Sequence, residues 1–217
     1  MSKGAAIDLG LNEAYNDLFS TQEERDNAQR SYVTDLTAAE ISDFPNHPFK
    51  VRMDQSMVEL ADSVKQYGVL VPSLVRPMPN GSYQMVSGHR RKRAAELAGL
   101  PTVPCIIREL TDDEAITQMV EDNLNQREEI LPSERAKALK MQLEAIKHQG
   151  SRTSGQIDPK DAGKRSNEIV AERNKMAVKQ VQRYIRLNEL VPDLMKLMDE
   201  KKLGFTTAVE LSYIGKK

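Results

Sequence analysis

The chain has 217 residues, of which 39% are hydrophobic and 29% are charged, a composition typical of a globular protein. No apolar run approaches the length of a membrane span, and the N-terminus lacks the basic and apolar regions of a secretory signal. The single cysteine, Cys105, excludes an intrachain disulfide, and with three scattered histidines it forms no recognisable metal-binding pattern. We therefore expect a cytoplasmic protein in which Cys105 packs as a small hydrophobe.

The net charge of −1 conceals a strong asymmetry along the chain. Residues 1–45 carry three basic and nine acidic side chains, whereas residues 133–190 carry thirteen basic and seven acidic side chains. The basic segment is compatible with a polyanionic partner, although basic helical faces are usually just solvated.

The first third of the chain predicts a tail followed by a mixed α/β region. Residues 1–36 are polar and acidic and predict a mobile tail. Apolar residues at helical spacing predict an amphipathic helix over 55–67. Strands are predicted over 69–76 and 82–87, joined by a hairpin in which Asn80-Gly81 supplies the positive φ angles of a type I′ turn.

The pattern then changes from mixed α/β to all-α. A helix is predicted from 89 to 98, a strand over 103–110, and a capping box at Thr111–Glu114 opens a helix to about 123. A loop rich in Gly, Ser, Asp and Pro is predicted over 150–163. The remaining predicted helices span 133–148, 166–173, 177–190, 193–200 and 206–213.

The run Gly88-His89-Arg90-Arg91-Lys92-Arg93 places four basic side chains at the start of a predicted helix. Free N–H groups and the helix dipole favour an anion at this end, and cations oppose the dipole. A bound polyphosphate would resolve that conflict, since arginine forks match phosphate oxygens. A solvated basic face explains the spacing equally well, and no P-loop or GxGxxG pattern occurs.

A second polar cluster, Glu121–Arg127, lies near a predicted helix end. Its carboxylate and amide oxygens suit Mg²⁺ bridging to phosphates. Considered alone, the cluster is explained better as an ordinary polar helix terminus.

Residues 166–190 predict a helix-turn-helix. Ala171 is small where two helices must approach, and Lys175, preceded by Asn174, occupies the turn position usually held by glycine. We expect Met176, Val181 and Tyr184 to be buried. An ordinary helical hairpin is the alternative, but the basic second helix favours DNA binding through adenine and guanine edges and phosphates. Its outward residues are predicted to be Val178, Lys179, Gln182, Arg183 and Arg186.

Taken in order, these motifs resemble ParB-type chromosome and plasmid partition proteins, from about Ile41 to the C-terminus. The segment Gly88–Ala94 is similar to the family's Gly-Glu-Arg-Arg-x-Arg-Ala box, and Glu121–Arg127 is similar to its Glu-Asn-Leu-Gln-Arg segment. The helix Glu59–Lys65 leading into Gly68–Pro72 and the helix-turn-helix complete the match.

The resemblance implies an α+β protein with three parts. A mobile acidic tail (1–36) precedes a small mixed ParB/sulfiredoxin-like α/β nucleotide-binding domain (37–130). An all-α domain with a helix-turn-helix at about 166–190 follows (131–217). It also implies a homodimer that binds a palindromic parS-type DNA site, closes as a sliding clamp on binding CTP and Mg²⁺, and hydrolyses CTP slowly. The implied partner is a ParA-type ATPase, and the implied location is the cytoplasm, on the nucleoid or a plasmid.

Carried over to this chain, the family's roles fall on three sets of residues. Glu121 and Asn123 would serve hydrolysis, and Glu121 or Asp122 would hold the metal. DNA would be bound by Lys175, Val178, Lys179, Gln182, Arg183 and Arg186. The nucleotide would be held by Gly68, Val69, Pro72, Ser73, Ser87, Gly88, His89, Arg90, Arg91, Arg93, Ala94, Asn123 and Arg127.

Several features depart from the family pattern. His89 replaces a usual glutamate, and the acidic motif carries one extra residue. The tail is acidic where the family has a short basic ParA-stimulating stretch, and the family's C-terminal dimerisation domain is absent after Tyr213. Two alternatives stay open: a helix-turn-helix transcription regulator that binds no nucleotide, and a ParB-like nuclease.

Overall fold

A five-stranded mixed sheet forms the first half of the computed structural model, which describes residues 32–127, 129–152, 161 and 163–214. The strands are β1 (Val33–Thr37), β2 (Ile41–Ser42), β3 (Ser73–Pro77), β4 (Tyr83–Ser87) and β5 (Thr102–Ile107). Their order is β1-β5-β3-β4-β2. The pairs β1/β5 and β3/β4 are antiparallel, whereas β5/β3 and β4/β2 are parallel.

Eight α-helices complete the described part of the chain. Three accompany the sheet, namely α1 (Gln55–Tyr67), α2 (His89–Ala98) and α3 (Asp112–Gln126). The other five follow it, namely α4 (Pro132–Arg152), α5 (Ser166–Arg173), α6 (Val178–Arg186), α7 (Pro192–Asp199) and α8 (Phe205–Leu211). The predicted mixed α/β part followed by helices is therefore confirmed.

The prediction of a tail through residue 36 is wrong for residues 33–36, which belong to β1. This strand pairs with β5, so that Val33 lies opposite Ile106. Only Leu36 of β1 is buried, so the strand lacks the apolar alternation that local patterns reveal. Residues 1–31 of the predicted tail lie outside the described residues.

The predicted hairpin exists, but its turn is not type I′. Among the turn residues Gly81 alone has a positive φ, of 80°. Met78 closes the loop: its N–H donates to Ser82 O at 2.8 Å and its carbonyl accepts from Gly81 N at 2.9 Å. In a two-residue type I′ loop, residue 79 would donate the closing hydrogen bond to Ser82 O, and Pro79 has no backbone N–H to donate. The result is a three-residue loop with a left-handed glycine.

Two hydrophobic cores lie on opposite faces of the sheet. On one face, Met57 and Val64 of α1 and Ala94 and Ala95 of α2 pack on strand residues that include Cys105. The thiol is fully buried, and burial raises its pKa to about 11. On the other face the core joins the sheet to α3 and α4, and its members are Phe44, Phe49, Val86, Ala115, Met119, Val120 and Ala138.

Helix α4 connects the sheet to the helices that follow. Its Ala138 packs in the core beneath the sheet, while Leu139, Leu143 and Ile146 pack against α5 and α6. Ala136 on the same helix packs in a further core with α7 and α8. From Val33 onward the chain clusters into one compact unit, with α4 as its shared element.

Candidate nucleotide and DNA sites

The start of α2 is built around Gly88, which follows the end of β4. Gly88 has φ 112°, a conformation that other residues rarely adopt. A Cβ placed on it would lie 2.7 Å from the Cβ of Ser73, so no side chain fits between them. The Oγ of Ser73 is itself buried and has no hydrogen-bond partner in the protein. A helix start with free backbone N–H groups, opened by a residue without a side chain, is a geometry that can bind a phosphate group.

The four basic side chains of α2 go to four different places. Arg90 donates to Ser56 Oγ at 2.7 Å. Arg91 donates to the carbonyls of Val71 (2.8 Å) and Pro72 (2.5 Å). Lys92 donates to Ile41 O at 2.7 Å and Asp43 at 3.0 Å, and Arg93 pairs with Glu96 on the surface at 2.9 Å.

Arg90 lies on a cavity of about 450 Å³, a volume within the range of small-molecule sites. Basic groups outnumber acidic ones in its wall, and one of the acids, Glu134, accepts from the backbone N–H groups of Lys50 (3.0 Å) and Leu131 (3.3 Å). The lining residues are Lys50, Arg52, Asp54, Ser56, Arg90, Gln126, Arg127, Glu129 and Glu134.

Several of these lining residues were missed by the sequence analysis. Lys50, Arg52 and Ser56 flank the start of α1, where Asp54 caps the helix by accepting from Met57 N. The sequence signal that could have identified them is the pair of basic residues, Lys50 and Arg52, just before the helix cap and next to the buried Phe49. Gln126 lies within the polar cluster Glu121–Arg127, but no role was predicted for it.

Arg127, a predicted nucleotide ligand, does line this cavity. Its guanidinium carbon lies 5.3 Å from the ring centroid of Phe49, and burial lowers the pKa of the group. Because a guanidinium remains protonated even so, Arg127 places a partly desolvated positive charge beside Arg90.

The side chain of His89 points into the protein and does not line the cavity, so of this residue only the backbone N–H is left for the predicted nucleotide contact. It is 8% exposed, and its ring lies 3.9 Å from that of His47, centroid to centroid. Its Nε2 accepts from Phe44 N at 3.5 Å. Burial lowers the pKa of His89 to about 3 and that of His47 to about 4. Both rings are therefore neutral at pH 7.

Two further residues predicted to bind the nucleotide, Ala94 and Ser87, are buried. The side chain of Ala94 is fully buried in the core with α1, which corrects its prediction as a nucleotide contact. Ser87 is also buried, at the end of β4, immediately before the Gly88 cradle.

The predicted base-binding loop does reach α2. Gly68 ends α1 with φ 73°, Val69 packs at the edge of the core, and Pro72 leads into Ser73 beside Gly88. Its middle is open, since Leu70 is 78% exposed. The two hydrogen bonds from Arg91 hold this loop against the start of α2.

The two acidic residues of the second motif face different partners. Glu121 accepts from Gln142 Nε2 at 3.2 Å and from Arg173 at 3.4 Å, and burial raises its pKa against the opposing effect of Arg173. Asp122 instead acts on Arg91: burial lowers the pKa of that guanidinium and the Asp122 carboxylate opposes the shift. Asn123 donates to Met119 O within α3 at 2.8 Å.

No group of three or more His, Cys, Asp or Glu side chains among the described residues is arranged to hold a metal ion by itself. A cation near Asp122 would therefore share its coordination with phosphate oxygens, as Mg²⁺ commonly does. Each of the two alternative metal ligands already has a partner, since Asp122 accepts from Gln118 Nε2 at 2.9 Å and Glu121 from Gln142 and Arg173, so the choice between them stays a prediction.

The helix-turn-helix region consists of α5 and α6. Ala171 and Val181 are buried between them, and Met176 and Tyr184 pack at the margin of the same core. Lys175 takes the left-handed conformation with φ 53°, whereas the preceding Asn174 has φ −99°.

Three of the predicted DNA-reading side chains of α6 are exposed, and two have other contacts. Lys179, Gln182 and Arg183 are exposed, and Arg183 donates to Thr206 Oγ1 at 3.1 Å. Val178 is half-buried against the core with α5, so its prediction as an outward residue is wrong.

Arg186 donates to Ser212 O at 2.7 Å, and its guanidinium lies 4.3 Å from the Tyr213 ring centroid. Its Nε is buried as well, which corrects the prediction that it faces outward. Lys175, in the turn, is exposed.

A family model described as the ParB N-terminal domain matches residues 22–124. Residues 22–124 belong to the ParB N-terminal domain family. This ParB N-terminal domain contains the sheet and the Gly88 cradle; α4 and all that follows lie beyond it.

The chain is similar to curated ParB-type proteins over about half of their length. It is 44% identical over 112 residues to the chromosome-partitioning protein Spo0J of Thermus thermophilus, covering 52% of this chain and 41% of that protein. It is 32% identical over 171 residues to a probable chromosome-partitioning protein ParB of Vibrio cholerae, covering 79% of this chain and 52% of that protein.

The fold extends beyond the ParB N-terminal domain in a solved relative. The C-terminally truncated ParB of Caulobacter crescentus, complexed to the centromeric parS site, matches with a TM-score of 0.52 and 23% identity. The match covers 83% of this chain and 84% of that one, and at this identity it supports the fold. Within the described residues, no helix is both long and apolar enough to cross a bilayer.

Proposed function

We propose that this chain is the nucleotide-binding and DNA-binding part of a ParB-type partition protein. Residues 37–130 would bind CTP with Mg²⁺, and residues 131–217 would bind a palindromic parS-type DNA site. The observation that carries the proposal is the cavity lined by Arg90 and Arg127, with Arg90 on the first turn of the helix that the Gly88 cradle opens.

The residues present suit a nucleoside triphosphate. The backbone N–H groups that follow Gly88 would bind phosphate oxygens at the start of α2. Lys50, Arg52, Arg90 and Arg127 would neutralise the remaining charge, and charge-assisted hydrogen bonds from arginine are the strong ones. Bound Mg²⁺ would supply charge neutralisation between phosphate oxygens, with Asp122 as the protein group on that side.

The choice of base would depend on the loop at Gly68–Ser73. Arg91 donates to two carbonyls of this loop and so holds it against α2. Preorganisation of this kind improves affinity because less ordering remains to be done on binding. The preference for CTP follows from the family resemblance and is part of the proposal.

The DNA would lie along the exposed face of α6. Lys179, Gln182 and Arg183 project from this helix, and Lys175 projects from the turn before it. Glutamine and arginine side chains pair with adenine and guanine edges in the major groove, and lysines neutralise phosphates. The proposal also includes dimerisation, clamp closure and slow CTP hydrolysis with Glu121 and Asn123. It further includes a ParA-type partner and a cytoplasmic location on DNA.

Calorimetric titration with CTP and Mg²⁺ tests the nucleotide site, with ATP, GTP and UTP as competitors. We expect Arg90→Ala to weaken CTP binding about 10- to 100-fold, the range for a hydrogen bond to a charged group. Arg93→Ala is the matched control, because Arg93 lies on the same helix but pairs with Glu96 outside the cavity.

Wild-type protein that binds a parS duplex but no nucleotide would identify the chain as a DNA-binding regulator instead. Cutting of plasmid DNA in the presence of Mg²⁺ would favour a nuclease. Equal losses in the Arg90 and Arg93 variants would mean that Arg93 also binds the triphosphate, as the family resemblance implies, and that the cavity wall alone does not define the site. The absence of any loss in the Arg90 variant would place the triphosphate elsewhere.

A further inference from the structure

A chain of three polar side chains, two of them buried and one half-buried, connects the turn of the helix-turn-helix to α3. Asn174 Nδ2 donates to Gln142 Oε1 at 2.7 Å, and Gln142 Nε2 donates to Glu121 Oε1 at 3.2 Å. Gln142 lies on α4 and is 0% exposed, and Asn174 is 8% exposed. We call Asn174, Gln142 and Glu121 the polar relay.

The relay has a fixed direction. The Glu121 carboxylate can only accept while it is ionised, and the Asn174 amide nitrogen can only donate. Gln142 satisfies both with one side chain, because an amide offers an acceptor at one end and donors at the other. An apolar residue at this position would remove both hydrogen bonds of Gln142 and leave Asn174 with Val170 O and Glu121 with Arg173, so the connection between the turn and α3 through α4 would be lost.

One end of the relay lies on the helix that ends at the nucleotide cavity. Glu121 precedes Gln126 by five residues on α3, and Gln126 and Arg127 line the cavity. A ligand that draws Gln126 and Arg127 inward would move the last turns of α3, which carry Glu121. Packed helices respond to such displacements as rigid elements.

The other end of the relay sets the geometry of the DNA-reading helix. Asn174 also donates to Val170 O at 2.7 Å, and Lys175, next in the chain, has the strained φ of 53°. Arg173 bonds Glu121 as well, and it donates to Asp161 at 2.7 Å. The turn before α6 is thus connected to the Glu121 carboxylate twice, once through Asn174 and Gln142 and once through Arg173.

One buried acceptor atom of the relay has no hydrogen-bond partner. The Oδ1 of Asn174 is buried and has no hydrogen-bond partner in the structure. An unsatisfied buried acceptor is costly, so a shift of the turn that gave Asn174 Oδ1 a partner would be favourable. Such a shift would carry a change at α3 to α6.

We propose that Gln142 is a positioning residue that couples nucleotide occupancy of the cavity to the affinity of α6 for DNA. This inference rests on the proposed function, since it requires both ligands. Coupling between two binding sites is reciprocal, so DNA must change the affinity for the nucleotide by the same factor. Gln142 touches neither ligand; it acts through Glu121 on α3 and Asn174 in the turn.

The test is a four-way binding cycle on the whole chain. The Kd for CTP with Mg²⁺ is measured with and without a saturating parS duplex, and the Kd for the duplex with and without CTP. We expect a coupling factor of about 5 to 150 for the wild type, the usual range, and close to 1 for Gln142→Met. Methionine keeps the length of the side chain and removes both hydrogen bonds.

Two variants separate coupling from a merely structural role. Leu139→Met is the matched control, because Leu139 is also fully buried on α4 but contacts only apolar residues. It should keep the wild-type factor. The exchange Gln142→Glu with Glu121→Gln restores both hydrogen bonds with the polar groups exchanged, and it should recover coupling that Gln142→Glu alone loses.

The outcomes are distinct. A wild-type factor in the Gln142→Met variant, with both ligands still bound, overturns the relay and leaves the proposed function standing. Equal loss of coupling in Leu139→Met also overturns it, since general loosening would then explain the result. Wild-type protein that binds only one ligand refutes the proposed function, and the coupling falls with it.

Discussion

Gly88 and Ser73 approach so closely that a single added carbon on Gly88 would lie 2.7 Å from the Ser73 Cβ. The contact brings the end of β4 and the start of β3 together below the first turn of α2. The opening of the helix, the loop at Gly68–Ser73 and the unpartnered Ser73 hydroxyl therefore meet at one point.

Gly88→Ala should lower the free energy of unfolding and abolish CTP binding. The new Cβ meets Ser73 and the backbone stays in a left-handed conformation, a strain of about 1–3 kcal/mol before any clash. Urea unfolding and a CTP titration measure the two effects.

Gly99→Ala is the matched control for Gly88. Gly99 has φ 72° at the other end of α2, but nothing lies within 4 Å of an added Cβ. It should show a smaller loss of stability and retain CTP binding. Similar losses in the two variants would mean that backbone strain alone, without the Ser73 contact, accounts for the effect.

Arg91→Ala should weaken CTP binding at least about 10-fold, the effect of one lost charge-assisted hydrogen bond. The reason is release of the carbonyls of Val71 and Pro72, which frees the loop at Gly68–Ser73. Limited proteolysis should therefore show faster cleavage within this loop. DNA binding measured without nucleotide should be nearly unchanged; equal loss of both activities in a folded variant would contradict this role.

Arg183→Ala should cost about 1–3 kcal/mol at the cognate DNA site if its guanidinium reads a base edge. Competition binding with single base-pair substitutions in the duplex reveals relaxed preference at one position. Arg186→Ala provides the contrast. Arg186 holds Ser212 O and the Tyr213 ring, so it should lower thermal stability more than base preference. A uniform loss for Arg183→Ala across all sequences would mark a phosphate contact instead.

The His47–His89 pair should make the protein less stable as the pH falls below about 6.5, the ordinary histidine pKa. The folded pKa values are depressed to about 4 and about 3, so the unfolded chain binds protons first. Each histidine then removes about 1.4 kcal/mol of stability per pH unit until its folded pKa is reached.

His89→Gln should make this pH dependence shallower. Unfolding by urea at pH values from 7.5 to about 4.5 measures the slope in both proteins, within the window set by ordinary histidine titration. Identical slopes would show that His89 takes up its proton in the folded protein at the same pH as in the unfolded chain, which contradicts a lowered pKa.

Local chemistry determined much of this protein. The helix over 55–67, the stop at Gly99 and the capping box at Thr111–Glu114 follow from residues a few positions apart, and the structure has all three. The order of the motifs was enough to indicate a ParB-type chain, because motif order does not depend on how the elements pack.

Only the tertiary structure decided which side chains meet. β1 exists because it pairs with β5, some seventy residues away in sequence, and local apolar alternation does not reveal it. Of four adjacent cations on α2, Arg90 alone lies on the cavity: Arg91 and Lys92 are held by carbonyls of distant segments, and Arg93 pairs with Glu96 on the same helix.

Neighbouring residues on a helix point about 100° apart, so Glu121 faces Gln142 and Arg173 while Asp122 acts on Arg91. Sequence supplied the residue types and their order. The long-range packing of α2, α3 and α4 assigned each charged group to the cavity, the relay or the surface.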